Sequence, residues 1–330
     1  MGAHGDTGAI SWPTLRAESS VESPKPERRE RVLERPTRRA SEVPGDDKER
    51  RVTGRLGSDW FTAGARSGSA ALLAAGLLAA APAHAELSAE ELAKLAQNPV
   101  GNLISLPFQN NTNFNFGPEK GTQNVLNIQP VIPVSVNKDW NVITRTIVPV
   151  VSMPALGPNL DGTNGIGDTV FTAFLSPAVP KGLIWGVGPV VQIPTNSSAE
   201  LGNKNWGLGP SVVVLRLAPG DPWVYGVLVN NIWSLSSDKQ GGAYNNGLIQ
   251  PFVNYNFKDF YVNSAPIATV NWRAASGQQW TVPLGAGIGK IFHFGKLPVN
   301  AQVGAYYNVV KPDFGADWQL RAQVQLMFPK

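Results

Sequence analysis

The last segment of the chain alternates between apolar and polar residues at every second position. From Trp318 to Phe328 one set of alternate residues is Trp, Leu, Ala, Val, Leu and Phe, and the set between them is Gln, Arg, Gln, Gln and Met. Because successive side chains of a β-strand point to opposite sides, the segment has one apolar face and one mainly polar face. A tilted strand crosses a membrane with about 9 to 11 residues. The segment therefore predicts a membrane-spanning strand.

Runs of similar length and pattern recur along the chain after residue 100. Leu126, Ile128 and Ile132 share one face of such a run, and Asn127 and Gln129 share the other. Single-chain bacterial barrels have an even number of strands, and we identify twelve runs. The prediction is an all-β protein, a transmembrane antiparallel β-barrel of about 12 strands. The predicted strands are 102–115, 125–136, 140–151, 168–176, 183–194, 205–216, 223–234, 247–257, 260–270, 280–290, 297–309 and 317–328.

The connections between these runs alternate in length. Those after even-numbered runs are short, and those after odd-numbered runs are longer on the whole, the extremes being 152–167 and 235–246. Short periplasmic turns and longer outer loops are typical of outer-membrane barrels. Trp140, Trp223 and Phe260 directly follow short connections, where an aromatic girdle is expected at the membrane surface.

Prolines inside the runs oppose the prediction of strands, because each one lacks the N–H that a sheet ladder needs. We expect bulges or water-facing positions at these residues. They are Pro130, Pro149, Pro189, Pro210, Pro251 and Pro283.

The first 85 residues differ from the rest of the chain. Residues 1–66 hold nearly half of the charged residues and few aromatic ones, which predicts a disordered extension. Residues 67–85 are an Ala- and Leu-rich run that ends in Ala83-His84-Ala85, which predicts a cleaved signal peptide. Because a signal peptide normally begins the chain, either the extension is translated or the start was assigned too early, with Val52 as the true initiator. Both alternatives give a mature chain that begins at Glu86.

A short helix is predicted at the start of the mature chain. Ser88 and Glu91 have the spacing of a capping box, and Pro99 ends the helical pattern. We expect residues 86–100 to form a short periplasmic helix or a plug in the barrel mouth, and residues 101–330 to form the outer-membrane barrel.

Arginines in the middle of two strands indicate which side chains line the lumen. A lipid-facing Arg at mid-membrane costs about 2 to 4 kcal/mol, so we expect Arg145 and Arg321 to face inward among the amide residues. Such a lining suits neutral polar or weakly anionic solutes, and the alternative is that these side chains fill a closed lumen. The predicted lumen-lining residues are Gln129, Arg145, Asn254, Gln302, Arg321 and Gln323.

Several functional classes are not predicted. His293 is the only His after residue 85, and it lies in a predicted short turn, so no catalytic triad and no enzyme are expected. No cluster of Cys, His or carboxylates predicts a metal or another cofactor. Basic residues before position 66 alternate with acidic ones and no aromatic and basic stripe follows, so nucleic-acid binding is not expected.

Part of the chain resembles a known family. The segment QNPVGNLISLPFQNNTNFNFGP, the segment VLNIQPVIPVSVNKDWNVITRTIVPVV, and the short motifs Gly165-Ile-Gly167-Asp168 and Phe174-Leu-Ser-Pro177 carry the resemblance. They are similar to bacterial outer-membrane transporters in a family named for a MetA pathway of phenol degradation, some of which are labelled neuromedin U. The resemblance implies a barrel in a Gram-negative outer membrane that passes small organic molecules, and it implies no catalytic residues.

The sequence thus predicts an outer-membrane channel or porin-like transporter for passive passage of small organic molecules. Its expected partners are outer-membrane lipid, the barrel assembly machinery and a small-molecule solute. One alternative is a closed structural or adhesin-type barrel. Another is a secreted all-β binding protein, whose outer face would be polar.

Cleavage after Ala85 gives the first testable prediction. Amino-terminal sequencing of the protein from the membrane fraction should return Glu86 as the first residue, because the small residues of an A-x-A site fit signal peptidase. Replacing Ala85 with a bulky residue should block this processing. A mature chain that starts upstream of Ala85 would contradict the prediction.

Overall fold

The computed structural model describes residues 87–157, 160–180 and 182–329. The predicted extension and signal peptide, residues 1–85, lie outside this part of the chain. No helix within the described ranges is both long enough and apolar enough to cross a membrane.

One short helix, α1 (Ala89–Ala96), precedes the strands, and its presence confirms the predicted helix. The Ser88 side chain accepts a hydrogen bond from the Glu91 backbone N–H, and the Glu91 carboxylate accepts one from the Ser88 backbone N–H at 2.9 Å. This reciprocal pair is the capping box that the sequence indicates. The backbone bond from Ser88 also holds the pKa of the Glu91 carboxyl below its ordinary value.

Fifteen strand segments follow α1 in one antiparallel sheet within the described ranges. A short 3-10 turn, Ala199–Leu201, lies between the seventh and eighth segments. The segments are β1 (Ile104–Phe116), β2 (Gly121–Ile128), β3 (Val131–Ser135), β4 (Trp140–Met153), β5 (Thr163–Ile166), β6 (Thr169–Pro177), β7 (Leu183–Ile193), β8 (Gly207–Leu217), β9 (Trp223–Ser234), β10 (Asn245–Asn256), β11 (Tyr261–Ser264), β12 (Ala268–Asn271), β13 (Trp280–Phe294), β14 (Leu297–Val310) and β15 (Trp318–Phe328).

Three pairs of segments each form one interrupted strand. β2 and β3 both pair with β4, and so do β5 and β6, while β11 and β12 both pair with β10 and β13. The segments therefore make twelve strands, and β15 pairs with β1 to close the ring. The predicted twelve-stranded transmembrane barrel is confirmed. Closure matters because it leaves no unpaired sheet edge in the membrane.

Prolines interrupt the ladders in different ways. Pro130 lies in the break between β2 and β3, and a register shift separates Val282 from Pro283. Pro189 and Pro210 face each other in the unbroken β7–β8 ladder, and the ladders to β6 and β9 have gaps opposite them. The register is the same on both sides of each gap, so these two prolines do not cause bulges, which were one of the two arrangements that we expected. Each one removes only the hydrogen bond of its missing N–H.

The two faces of the sheet differ sharply in exposure. In β15, Leu320 and Val324 are 43% and 46% exposed on the outside, whereas Arg321 and Gln325 are 3% and 5% exposed inside. Large apolar side chains cover the outside of other strands in the same way. Such a continuous apolar surface is stable in hydrocarbon rather than in water. The alternative of a secreted binding protein required a polar outer face and is wrong.

The connections sort into two ends of the barrel. At the short-turn end lie residues 136–139, 178–182, 218–222, 257–260 and 295–296, and at the long-loop end lie 117–120, 154–162, 194–206, 235–244, 272–279 and 311–317. The turn at 295–296 is shorter than predicted, because Gly295 adopts a φ of 61° and allows a tight turn between two longer strands.

The orientation of the barrel is tested at the long-loop end. Asp161 is exposed in the loop 154–162, and we predict that this loop faces the outside of the cell. An epitope inserted at Asp161 should be labelled by antibody on intact cells. The same epitope inserted at Asp259, in a short turn, should be labelled only after lysis, and the reverse result would invert the orientation.

Adjacent residues of β15 provide a test of the two faces. Ala322 faces outward and Gln323 faces the lumen. The substitution Ala322→Arg should destabilise the folded barrel in lipid vesicles by about 2 to 4 kcal/mol, because it puts a charge into hydrocarbon. Gln323→Arg should cost much less, since its side chain meets the polar lumen. Urea titration of folding measures both, and equal costs would contradict the assignment of faces.

Candidate functional site

A cavity of about 160 Å³ lies inside the barrel. Its wall is formed by the inward faces of several strands, including β1, β4, β10, β14 and β15, and by the chain between α1 and β1. Arg145 and Arg321 are the charged residues of this lining, and amide side chains make up most of its polar remainder. The cavity therefore combines a positive formal charge with many hydrogen-bonding groups.

All six residues that the sequence singles out border this cavity. Their contact with a passing solute stays a prediction, although the structure brings them together around one space. They are Gln129, Arg145, Asn254, Gln302, Arg321 and Gln323.

Each of the three nitrogens of the Arg321 guanidinium donates a hydrogen bond to the protein. Its Nε donates to Asn111 Oδ1 at 3.1 Å, its Nη1 to the Ala265 backbone carbonyl at 2.8 Å, and its Nη2 to Gln319 Oε1 at 3.0 Å. The Arg321 Cζ also lies 4.6 Å from the centroid of the Tyr306 ring, within the range of a cation–π contact. Arg321 therefore joins β15 to β1, to β14 and to the interruption between β11 and β12.

Arg145 has a sparser environment than Arg321. Its Nη2 donates to Gln129 Oε1 at 2.5 Å, which is its one side-chain hydrogen bond to the described residues. Its cross-strand partner in β3 is Val131, which also lines the cavity. Its partner in β6 is the buried Thr172, so the neighbours of the side chain are an amide, an apolar residue and a hydroxyl-bearing residue.

Amide and hydroxyl groups form a chain of hydrogen bonds around part of the cavity wall. Tyr261 Oη donates to Asn300 Oδ1 at 2.8 Å, Asn300 Nδ2 donates to Gln325 Oε1 at 3.2 Å, and Gln325 Nε2 donates to Ser105 Oγ at 3.1 Å. The Tyr261 ring crosses β13 at Gly289, where an added Cβ would lie 2.2 Å from the ring. A larger residue at position 289 would therefore displace Tyr261 from the network.

The segment that joins α1 to β1 packs inside the short-turn end of the barrel. Leu92 and Leu103 form a buried cluster with Ile291 and Met327, near the ends of β13 and β15. Gln97 and Asn256 exchange two amide hydrogen bonds, at 2.8 and 3.1 Å. The segment thus contributes residues to the cavity wall from this end.

A loop at the opposite end folds toward the interior, and the sequence analysis missed it. In the loop 194–206, Leu201 is 2% exposed and packs with Phe116 and Val151. Asp168 anchors the same loop, since its carboxylate accepts from the Asn203 backbone N–H at 2.7 Å. The density of Asn residues in this loop was the available signal, because buried amides bond readily to backbone groups.

Residues suited to catalysis or metal binding do not gather in this part of the chain. His293 is exposed near the end of β13 and does not border the cavity. The described residues contain no group of three or more His, Cys, Asp or Glu that could hold a metal ion. The chemistry of the lumen is therefore that of hydrogen bonding and charge.

Comparison with solved structures identifies the fold. An outer-membrane channel from Pseudomonas putida F1 is similar with a TM-score of 0.51 and 16% sequence identity, and the match covers 76% of this chain and 100% of that one. The NanC porin matches with a TM-score of 0.44 and 10% identity, over 69% of this chain and 100% of that one. The chain thus has the fold of an outer-membrane channel. Comparisons with protein families and with curated proteins found no match.

The different bonding of the two arginines predicts different effects on stability. Arg321→Met leaves the Ala265 carbonyl and Gln319 Oε1 without their donor, since Asn111 Oδ1 still accepts from Gln109, whereas Arg145→Met leaves one acceptor without its donor. Because an unsatisfied buried polar group costs about 1 to 3 kcal/mol, Arg321→Met should destabilise the barrel by about 2 kcal/mol more than Arg145→Met. Urea unfolding in lipid vesicles, followed by tryptophan fluorescence, measures the difference. Equal midpoints for the two variants would contradict it.

Proposed function

We propose that this protein is a channel of the Gram-negative outer membrane that passes small organic molecules passively. The observation that supports this function best is a polar, positively charged cavity inside a barrel whose outside is apolar. Between the loops and turns at its two ends, the barrel offers polar groups to a solute mainly in its lumen. We also propose that the chain belongs to the transporter family that it resembles, that a signal peptide directs its export, and that the barrel assembly machinery inserts it.

The packing at the short-turn end supports a role for the segment 87–103 as a plug. Its contacts are a small apolar cluster around Leu92 and Leu103, the packing of Val100 in the apolar core, and the amide pair between Gln97 and Asn256. Apart from the backbone connection to β1, these contacts are weaker than a sheet ladder, because no strand pairing holds the segment. Passage from this end then requires the plug to shift.

A closed structural or adhesin-type barrel is the second candidate function. The tight packing at both ends favours it, since Leu201 and Phe116 are nearly fully buried at the long-loop end and Leu92 is at the other. The amide network then serves only to fill the lumen. Conductance separates the two functions, because a closed barrel carries no current.

The test compares conductance of the wild-type protein with that of a plug variant in planar lipid bilayers. Leu92→Asp puts a charge into the buried cluster, whereas Leu87→Asp changes a leucine that is 37% exposed and serves as the matched control. We expect Leu92→Asp to raise single-channel conductance and the control to match the wild type, because a buried, unpaired carboxylate destabilises only the packed plug.

Liposome swelling with a panel of small neutral and anionic solutes completes this test. Swelling that rises with the Leu92→Asp substitution supports passage through the lumen. Zero conductance and no swelling for all three proteins would favour the closed barrel and overturn the channel function.

A further inference from the structure

Arg145 has donor groups that the protein leaves free. A guanidinium carries five N–H donors, and the Arg145 side chain makes one hydrogen bond, to Gln129. The ion pairs among the described residues are Lys94 with Glu90 and Lys311 with Asp317, so neither involves Arg145. The Arg145 side chain is half-buried at the cavity wall, so the donors that the protein does not meet are accessible from the lumen. A solute in the cavity can meet them.

The positive charge of the cavity lining favours a solute with a negative charge. The lining contains two arginines and no Asp or Glu. Coulombic attraction is stronger in a narrow, protein-lined space than in water, because the local dielectric constant is lower. Arg321 contributes to this field, but its three nitrogens already donate to protein oxygens. Direct contact with an anion therefore falls to Arg145.

The geometry of the free donors favours a carboxylate. The planar fork of a guanidinium matches the two oxygens of a carboxylate and binds them in parallel. Gln129 presents its Oε1 to Arg145, which leaves its Nε2 as an additional donor beside the same position. Arg145 and Gln129 together can hold one carboxylate group.

Arg145 pairs with Thr172 of β6 on one side, and the wall on the side of β3 is partly apolar. Val131 is the partner of Arg145 in β3, and it packs against a cluster that includes Leu228 and Phe252. All three residues border the cavity. An apolar wall makes it costly to bury a second charged group of the solute, and it can pack against a hydrocarbon or aromatic group. The position thus combines one group of donors for an anion with one apolar surface.

We propose that Arg145 and Gln129 form a binding site for a small organic monocarboxylate whose apolar body lies against Val131, Leu228 and Phe252. The proposal rests on the proposed function, because a solute must enter the lumen, and it names the class of that solute. The carboxylate accepts from the guanidinium of Arg145, and the amide of Gln129 orients it. A neutral isostere keeps the apolar contact and loses the charged one.

The test measures binding of benzoate and of benzamide, its neutral isostere, to the detergent-solubilised full barrel by isothermal titration calorimetry. Benzoate should bind the wild-type protein at least about tenfold more tightly, since charge-assisted hydrogen bonds add roughly 1.5 to 3 kcal/mol. Arg145→Gln should remove this preference, so that the variant binds benzoate no more tightly than benzamide. Equal binding of the two compounds by the wild type, or a preference that survives Arg145→Gln, would overturn the proposal.

Two further variants complete the design. Arg216→Gln is the matched control, because Arg216 is exposed on the outside at the end of β8 and should leave benzoate binding unchanged. If Arg145→Gln does not give a folded barrel by heat-dependent gel migration, Arg145→Lys replaces it. Lysine keeps the positive charge but lacks the planar pair of N–H donors, so benzoate affinity should fall by about threefold or more. Unchanged benzoate affinity in Arg145→Lys would then overturn the proposal.

Binding in detergent and conductance in bilayers test the binding site and the channel function independently. A protein that binds benzoate through Arg145 and carries no current would lose the channel function and keep the site. A protein that conducts and shows no preference for benzoate would keep the channel function and lose the site.

Discussion

No backbone N–H or C=O inside hydrocarbon can bond to water, so each must find its partner in the protein. The pairing of β15 with β1 satisfies this requirement for the whole sheet, because it joins the last strand to the first and leaves no edge. The inner and outer faces of the barrel follow from this closure. Alternation along each strand then sends apolar side chains to lipid and polar ones to the lumen. Pro189 and Pro210 are tolerated because the ladder at each of them is interrupted on one side only.

The same closure gives the lumen its chemistry. Side chains that point inward share a narrow space, and each buried polar group there needs a hydrogen-bond partner. The path from Tyr261 through Asn300 and Gln325 to Ser105 meets this need across neighbouring strands. Amides suit the task because each one both donates and accepts.

The strands and their faces were predictable from the sequence, because alternation is a local property of the chain. The inward direction of Arg321 followed from its neighbours in β15 and from the cost of a charge in lipid. Its bond to the Ala265 carbonyl did not, since residues 265 and 321 are joined only by the closed barrel. The inward fold of Leu201 was missed for a similar reason, because its partners Phe116 and Val151 lie on other strands. Local patterns predict faces, and tertiary contacts decide what fills the lumen.

Arg145 and Arg321 show how one residue type takes two roles on the same inner wall. Both were predicted to face inward on the same argument, and both border one cavity. Arg321 lies where acceptors from β1, β15 and the break before β12 converge, so the protein itself satisfies its donors. Arg145 lies between Val131 of β3 and Thr172 of β6 and its side chain bonds only to Gln129 among the described residues, so most of its donors remain for whatever enters the lumen. The distinction between a structural and a solute-binding arginine thus comes from the number of acceptors that the neighbouring strands supply.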